Sequence, residues 1–122
     1  TLNFDRPAKG RYIAIECQNV HGTNDHVAIA ELYALNAEGY RISRDSWSTK
    51  YADSEEEDGN HTGDKAFDQQ ESTYWKTQKG SPFPHLLVID LGKEQTITAL
   101  QHLSRTEKET PGAIKGYKIY VY

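Results

Sequence analysis

Along this chain apolar residues recur every second position far more than at a helical period. Residues 11–17 alternate, and a strand there would carry Ile13, Ile15 and Cys17 on one face. Residues 29–35 suit either an amphipathic helical turn or a strand, but the polar, glycine-ended break at residues 36–39 cuts the pattern short. They are therefore assigned as a strand. Ile42, Trp47 and Tyr51 among polar neighbours predict a short edge strand within residues 40–52. Residues 86–91 are apolar on both faces, which predicts a central strand buried on both sides. Gly92 and Lys93 then make a turn, and residues 96–103 follow as the neighbouring strand. A strand rich in Tyr and β-branched residues closes the chain at residues 116–122. Residues 20–26 and 104–112 are polar loops, and Pro82 and Pro84 stiffen an extended link. Short strands separated by polar turns predict an all-β sandwich.

Composition narrows the picture. At 122 residues the chain is long enough for one domain with its own core and too short for two ordinary ones. A mean hydropathy of -0.80 implies a polar surface, yet 8 Tyr, 3 Phe and 2 Trp argue for a folded chain. The net charge of -4 and scattered Lys and Arg do not suit a nucleic-acid backbone, so no nucleic-acid partner is expected. No apolar run approaches the roughly 20 residues of a membrane-spanning helix. The loops at residues 22–26 and 106–110 lack the apolar spikes that membrane insertion would need. The chain opens on Thr1 and not on Met, so it is expected to be a piece of a longer protein. The single Cys17 falls in an apolar strand, where an inert buried thiol is expected.

Candidate chemistry concentrates in residues 65–75. The Asp68 carboxylate, the Thr73 hydroxyl and the carbonyls between them can curl around one small sphere, and Phe67 and Trp75 can anchor the loop in a core. Calcium takes six to eight oxygens at about 2.3–2.6 Å, mixing carbonyls with a few carboxylates. A solvated polar loop with two buried aromatics is the competing interpretation. The acidic run at residues 53–60 reads as a solvated loop, because its clustered carboxylates would repel one another without an ion. His21, His26, His61, His85 and His102 show no zinc-ligand spacing. There is no G-x-S-x-G elbow, no spaced Cys–His pair and no pair of carboxylates that can be placed across a pocket, so no enzymatic activity is expected.

The segments KAFDQQESTYWKT, PHLLVIDLGKEQTITALQHLSR and GAIKGYKIYVY, in that order, resemble the discoidin or F5/8 type C family. The resemblance covers most of residues 41–122. It implies an eight-stranded antiparallel jelly-roll β-sandwich of the galactose-binding type. The stretch YADSEEEDG further resembles versions attached to bacterial fucosidases and hexosaminidases. The first thirty-six residues resemble the end of the same family's domain, yet they come first. Either they are the tail of a preceding copy, or the chain is a circular permutant whose first strands close the sandwich that residues 41–122 open. The permutant is preferred, since domain termini often lie side by side.

The resemblance also implies a structural calcium site. Its carbonyls would come from Lys65, Gln70 and Ala30, and its side chains from Asp68, Thr73 and Glu31. Family members that bind sugars stack an aromatic ring on the sugar and bond its hydroxyls with a few polar side chains. Of that set Arg105 matches, Lys76 stands in place of a His, Pro111 replaces an Asn, and the aromatic position falls at His26. Arg105 can equally pair with Glu107 or Glu109. Tyr74 is a further candidate ring, whereas Trp47 and Trp75 look like core residues. The resemblance thus implies a non-catalytic carbohydrate-binding module on a secreted, periplasmic or cell-surface glycoside hydrolase, in contact with a glycan and with its parent enzyme's domains. The alternative is a protein-interaction or adhesion domain with no sugar ligand.

Overall fold

In the computed structural model of the protein, all residues are described except 1, 21–25, 56–60, 71–72, 79–82 and 104–113. Among the described residues there are seven strands: β1 (Leu2–Val20), β2 (Ala28–Ile29), β3 (Glu31–Leu35), β4 (Ser48–Ala52), β5 (Trp75–Lys76), β6 (His85–Leu103) and β7 (Ile114–Val121). A single 3-10 turn, Gly63–Ala66, lies between β4 and β5. Every pairing is antiparallel: one sheet runs β3-β6-β1-β7 with β4 also on β6, and β2 pairs with β5. This is the all-β, antiparallel architecture of a discoidin sandwich.

The two long strands carry the fold. The far half of β6 pairs with the start of β1, Leu100 opposite Leu2, while its near half pairs with the rest of β1, Ile89 opposite Ile13. On the other side of β6, β3 borders the far half and β4 the near half. The predicted turn at Gly92–Lys93 is therefore corrected. Gly92 holds φ +85, which bends the strand without reversing it, and both halves find the same partner. A Cβ there would also stand 2.8 Å from that of Ser46. The two segments expected as neighbours are one bent strand.

Alternation explains the core. Ile13, Ile15 and Cys17 point inward, with their partners Ile89 and Leu87 and with Leu91, and all are buried. They join Val27, Ile29, Leu32, Trp47, Phe67, Trp75, Ile97 and Leu100 in one cluster. Each such side chain contributes on the order of 1.5–3 kcal/mol on burial. Strands β1 and β3 thus share a sheet with β6 and β7, and β1, β2 and β3 share a core with β6. The expected central strand at residues 86–91 lies between β1 and β4, with Leu87, Ile89 and Leu91 buried inward, Val88 buried on the outward face, and Leu86 and Asp90 half-buried.

The acidic run also differs from expectation at its start. Asp53 accepts a hydrogen bond from the Leu86 N–H at 2.7 Å and lies 2.9 Å from His85 Nδ1, and Glu55 accepts from the Gly63 N–H at 2.6 Å. These two carboxylates fasten loops to strands. The rest of the run, residues 56–60, lies outside the described residues.

Candidate functional site

The loop after the 3-10 turn curls as its sequence suggests. Gln69 adopts φ 65, a left-handed conformation that tightens the bend. The Gln70 N–H donates to Asp68 Oδ1 at 3.1 Å, and the Thr73 N–H donates to the Gln70 carbonyl at 3.3 Å. The Thr73 hydroxyl lies against Asp68 Oδ2 and 3.1 Å from the Gln70 carbonyl oxygen. A carboxylate, a hydroxyl and a carbonyl therefore converge, with one hydroxyl proton for two acceptors. Phe67 anchors this loop against Trp47, ring centroids 5.9 Å apart, and the Trp75 indole N–H donates to the Ser54 carbonyl at 3.0 Å.

The front of the chain meets this loop through β2 and β5. Ala28 pairs with Lys76 and Ile29 with Trp75. Beyond Ile29 the chain leaves this pairing, and Glu31 opens β3 opposite Leu103. Glu31 is buried, and its carboxylate accepts from Arg44 Nη1 at 2.8 Å. The same guanidinium donates to the Leu32 carbonyl at 3.3 Å and lies 4.3 Å from the Tyr33 ring centroid. Sequence reading missed Arg44, whose polar neighbourhood carries no periodic signal. Asp45 was missed as well; it accepts from the Gln69 amide at 3.3 Å and ties the segment before β4 to the loop.

As a donor set, Asp68, Thr73 and the Gln70 carbonyl fit a hard cation. Among the described residues no three His, Cys, Asp or Glu side chains gather. Ala30 is buried, and Lys65 is half-buried with its Nζ 3.7 Å from Asp64 Oδ2. Neither of their carbonyls is fixed by a contact to the loop oxygens.

Lys76 and His26 are buried. Tyr74 is half-buried and stacks on His61, centroids 4.2 Å apart and planes within 12°, which occupies one ring face. Arg105 and Pro111 lie outside the described residues. A cleft that the sequence gave no reason to expect is lined by Asn36, Arg41, Ile42, Ser43, Asp45 and Lys93, beside Gln69 of the curled loop. Cys17 is buried, and burial pushes its thiol up to about 12, which removes it as a nucleophile at neutral pH.

Residues 48–122 match the family model for the F5/8 type C domain. The chain belongs to the F5/8 type C, or discoidin, family, whose members are generally non-catalytic modules that bind glycans or proteins and are typically extracellular. No curated protein matches the chain. Among the described residues no helix is long and apolar enough to cross a membrane.

Proposed function

We propose that the chain is a carbohydrate-binding accessory module of a secreted bacterial glycoside hydrolase, tethering its parent to glycan and doing no chemistry itself. The observation that carries this reading is the family match over residues 48–122 taken with the exposed apolar surface. Every large exposed apolar side chain among the described residues is a tyrosine: Tyr40, Tyr51, Tyr117, Tyr120 and Tyr122. An aromatic ring with a hydroxyl at its tip suits the apolar face and hydroxyl rim of a sugar. The front strands, which resemble the end of a family domain yet lie in this sheet, fit a permuted order within one domain. A glycan microarray tests the reading directly. Retention of a defined sugar class is expected, and silence across neutral, amino and acidic sugars overturns it. Arg105→Ala tests the expected loop site in the same format.

Calcium is the second part of the proposal. The side chains of Asp68, Thr73 and Glu31 would hold the ion with the carbonyls of Lys65, Gln70 and Ala30, the front of the chain closing on the middle loop. The ion would fix loops by charge and would carry no reaction. Calcium is expected to raise the melting temperature of the wild-type protein and leave that of Asp68→Ala unchanged, because a ligand held only by the folded state stabilises it. An identical wild-type melt in excess chelator and in calcium would remove the ion from the account.

A further inference from the structure

The outward face of the half-sheet β4-β6-β1-β7 carries an arrangement that strand propensity alone does not explain. Register fixes which side chains share it. Tyr51 lies opposite Val88, Val88 opposite Ala14, and Ala14 opposite Tyr120, so one row reads Tyr, Val, Ala, Tyr across four strands. The next row sets Asp90 opposite Tyr12, whose backbone exchanges hydrogen bonds with Tyr122 at 2.9 and 3.0 Å. At neighbouring-strand spacings of about 4.8 Å, the first row spans roughly 14 Å.

The rings lie low on this face. Val88 and Ala14 point outward, yet they are only 5% and 6% exposed. Side chains of the same face must lie across them, while Tyr51, Tyr120 and Tyr122 each keep about half their surface in water. Tyr12 and Tyr122 sit with centroids 5.3 Å apart. Lys50, the extra residue at the bulge between Thr49 and Tyr51, places its ammonium 3.8 Å from the Tyr12 centroid and 5.9 Å from that of Tyr122. Arg11 is held by Asp90 through two hydrogen bonds of 2.9 and 3.2 Å, so its charge is matched. Lys50 makes no ion pair among the described residues.

We infer that this face is a platform for an extended acidic polysaccharide, its pyranose rings lying on Tyr51, Tyr120 and Tyr122 and a carboxylate meeting Lys50. The inference rests on the glycan-binding reading and places binding on the sheet, away from the expected loop site. Tyrosine suits the centre of a protein interface as well as a sugar, so the aromatic surface alone does not choose the partner. Among the described residues the large exposed apolar side chains of the face are tyrosines, with phenol groups for the sugar hydroxyls. Charge decides the class of chain. Lys50 shares the face with the Arg11–Asp90 pair and acts on the Asp90 carboxylate, so the three groups together leave one positive charge, which in a protein of net charge -4 is complementary to a uronate.

The test is affinity electrophoresis of the full chain through polygalacturonate, alginate and neutral xylan, with glycan microarray and sedimentation in parallel. The wild type is expected to be retarded by an acidic chain more than by xylan. Tyr51→Ala with Tyr120→Ala should weaken that retardation at least tenfold, Tyr51→Phe with Tyr120→Phe should preserve most of it, and Lys50→Gln should weaken it and flatten its salt dependence. The Lys50 variant keeps the test decisive should the double alanine variant fold poorly. Unchanged retardation in both sets overturns the platform and leaves the module reading standing. Preference for xylan, or no retardation by any of the three with a positive microarray, also overturns it. A wild-type dimer that the tyrosine variants dissolve overturns it too, assigning the face to a second copy of the chain. A silent microarray removes the module reading as well.

Discussion

The chain uses the same contact twice, in opposite surroundings. Arg44 meets Glu31 at 2.8 Å with 10% and 1% of the side chains exposed, and Arg11 meets Asp90 at 2.9 Å with 50% and 21% exposed. The first pair stands at the start of β3, and the second borders the tyrosine face. Distances this close to equal would suggest equal worth. Burial makes them different objects: removing one partner of a buried pair leaves a charge in poor solvent, whereas an exposed ion falls back on water. The difference separates the part of the molecule that holds its loops from the part that meets the outside.

The largest effect is expected from Arg44→Ala. Taking the cation from a carboxylate with 1% exposure should cost on the order of 3–5 kcal/mol in a urea melt performed in chelator. Replacing both partners by apolar residues of similar volume, Arg44→Met with Glu31→Leu, should recover much of that loss. If Arg44→Ala melts no earlier than Arg11→Ala, burial does not divide the two pairs. Calcium sharpens the same comparison at a smaller magnitude. At a hundredfold excess over its dissociation constant, an ion bound only by the folded state adds about 2.7 kcal/mol. That gain should be retained in Arg44→Ala, where the ion would supply charge near Glu31, and lost in the doubly apolar variant. Equal gains in both would place Glu31 outside the ion's ligands.

How much of the molecule was legible in its sequence depends on the range of each interaction. The alternation of Ile13, Ile15 and Cys17 is local, and the strand it predicts is present. The Asp68-to-Thr73 spacing is local too, and those oxygens converge. Gly92 was misread because glycine between two apolar runs suits a hairpin and a bend alike. Only β1, pairing along both halves of β6, distinguishes them. Arg44 was invisible as a partner of Glu31 because the two stand thirteen positions apart in unlike segments. The tyrosines were counted as strand formers. Alternation could say that Tyr120 lies opposite in sense to Ile119, but the register across β6 and β4 was needed to bring Tyr51 into the same row. The family match begins at residue 48, so the strands that complete the sheet from the front of the chain had only pattern and resemblance to recommend them.

The smallest effect belongs to the exposed pair, and its sign is fixed. The hydrogen bond from Arg11, and after it that from the Gly92 N–H, holds the Asp90 carboxyl below its usual range. A carboxylate with a lowered folded-state pKa stabilises the fold above its unfolded value, near about 3.9, and loses that contribution as pH falls through the folded value. Wild type and Arg11→Ala should therefore melt slightly apart at neutral pH in low salt, the wild type higher. They should draw together in acid as Asp90 takes up its proton in both, and draw together likewise in high salt, where exposed charges are screened. A gap that stayed constant into strong acid would mean that Arg11 acts through its packing on Tyr12, where its guanidinium lies 5.7 Å from the ring centroid, and not through its charge. The contrast with Arg44 would then be one of packing against packing, and burial of charge would no longer explain it.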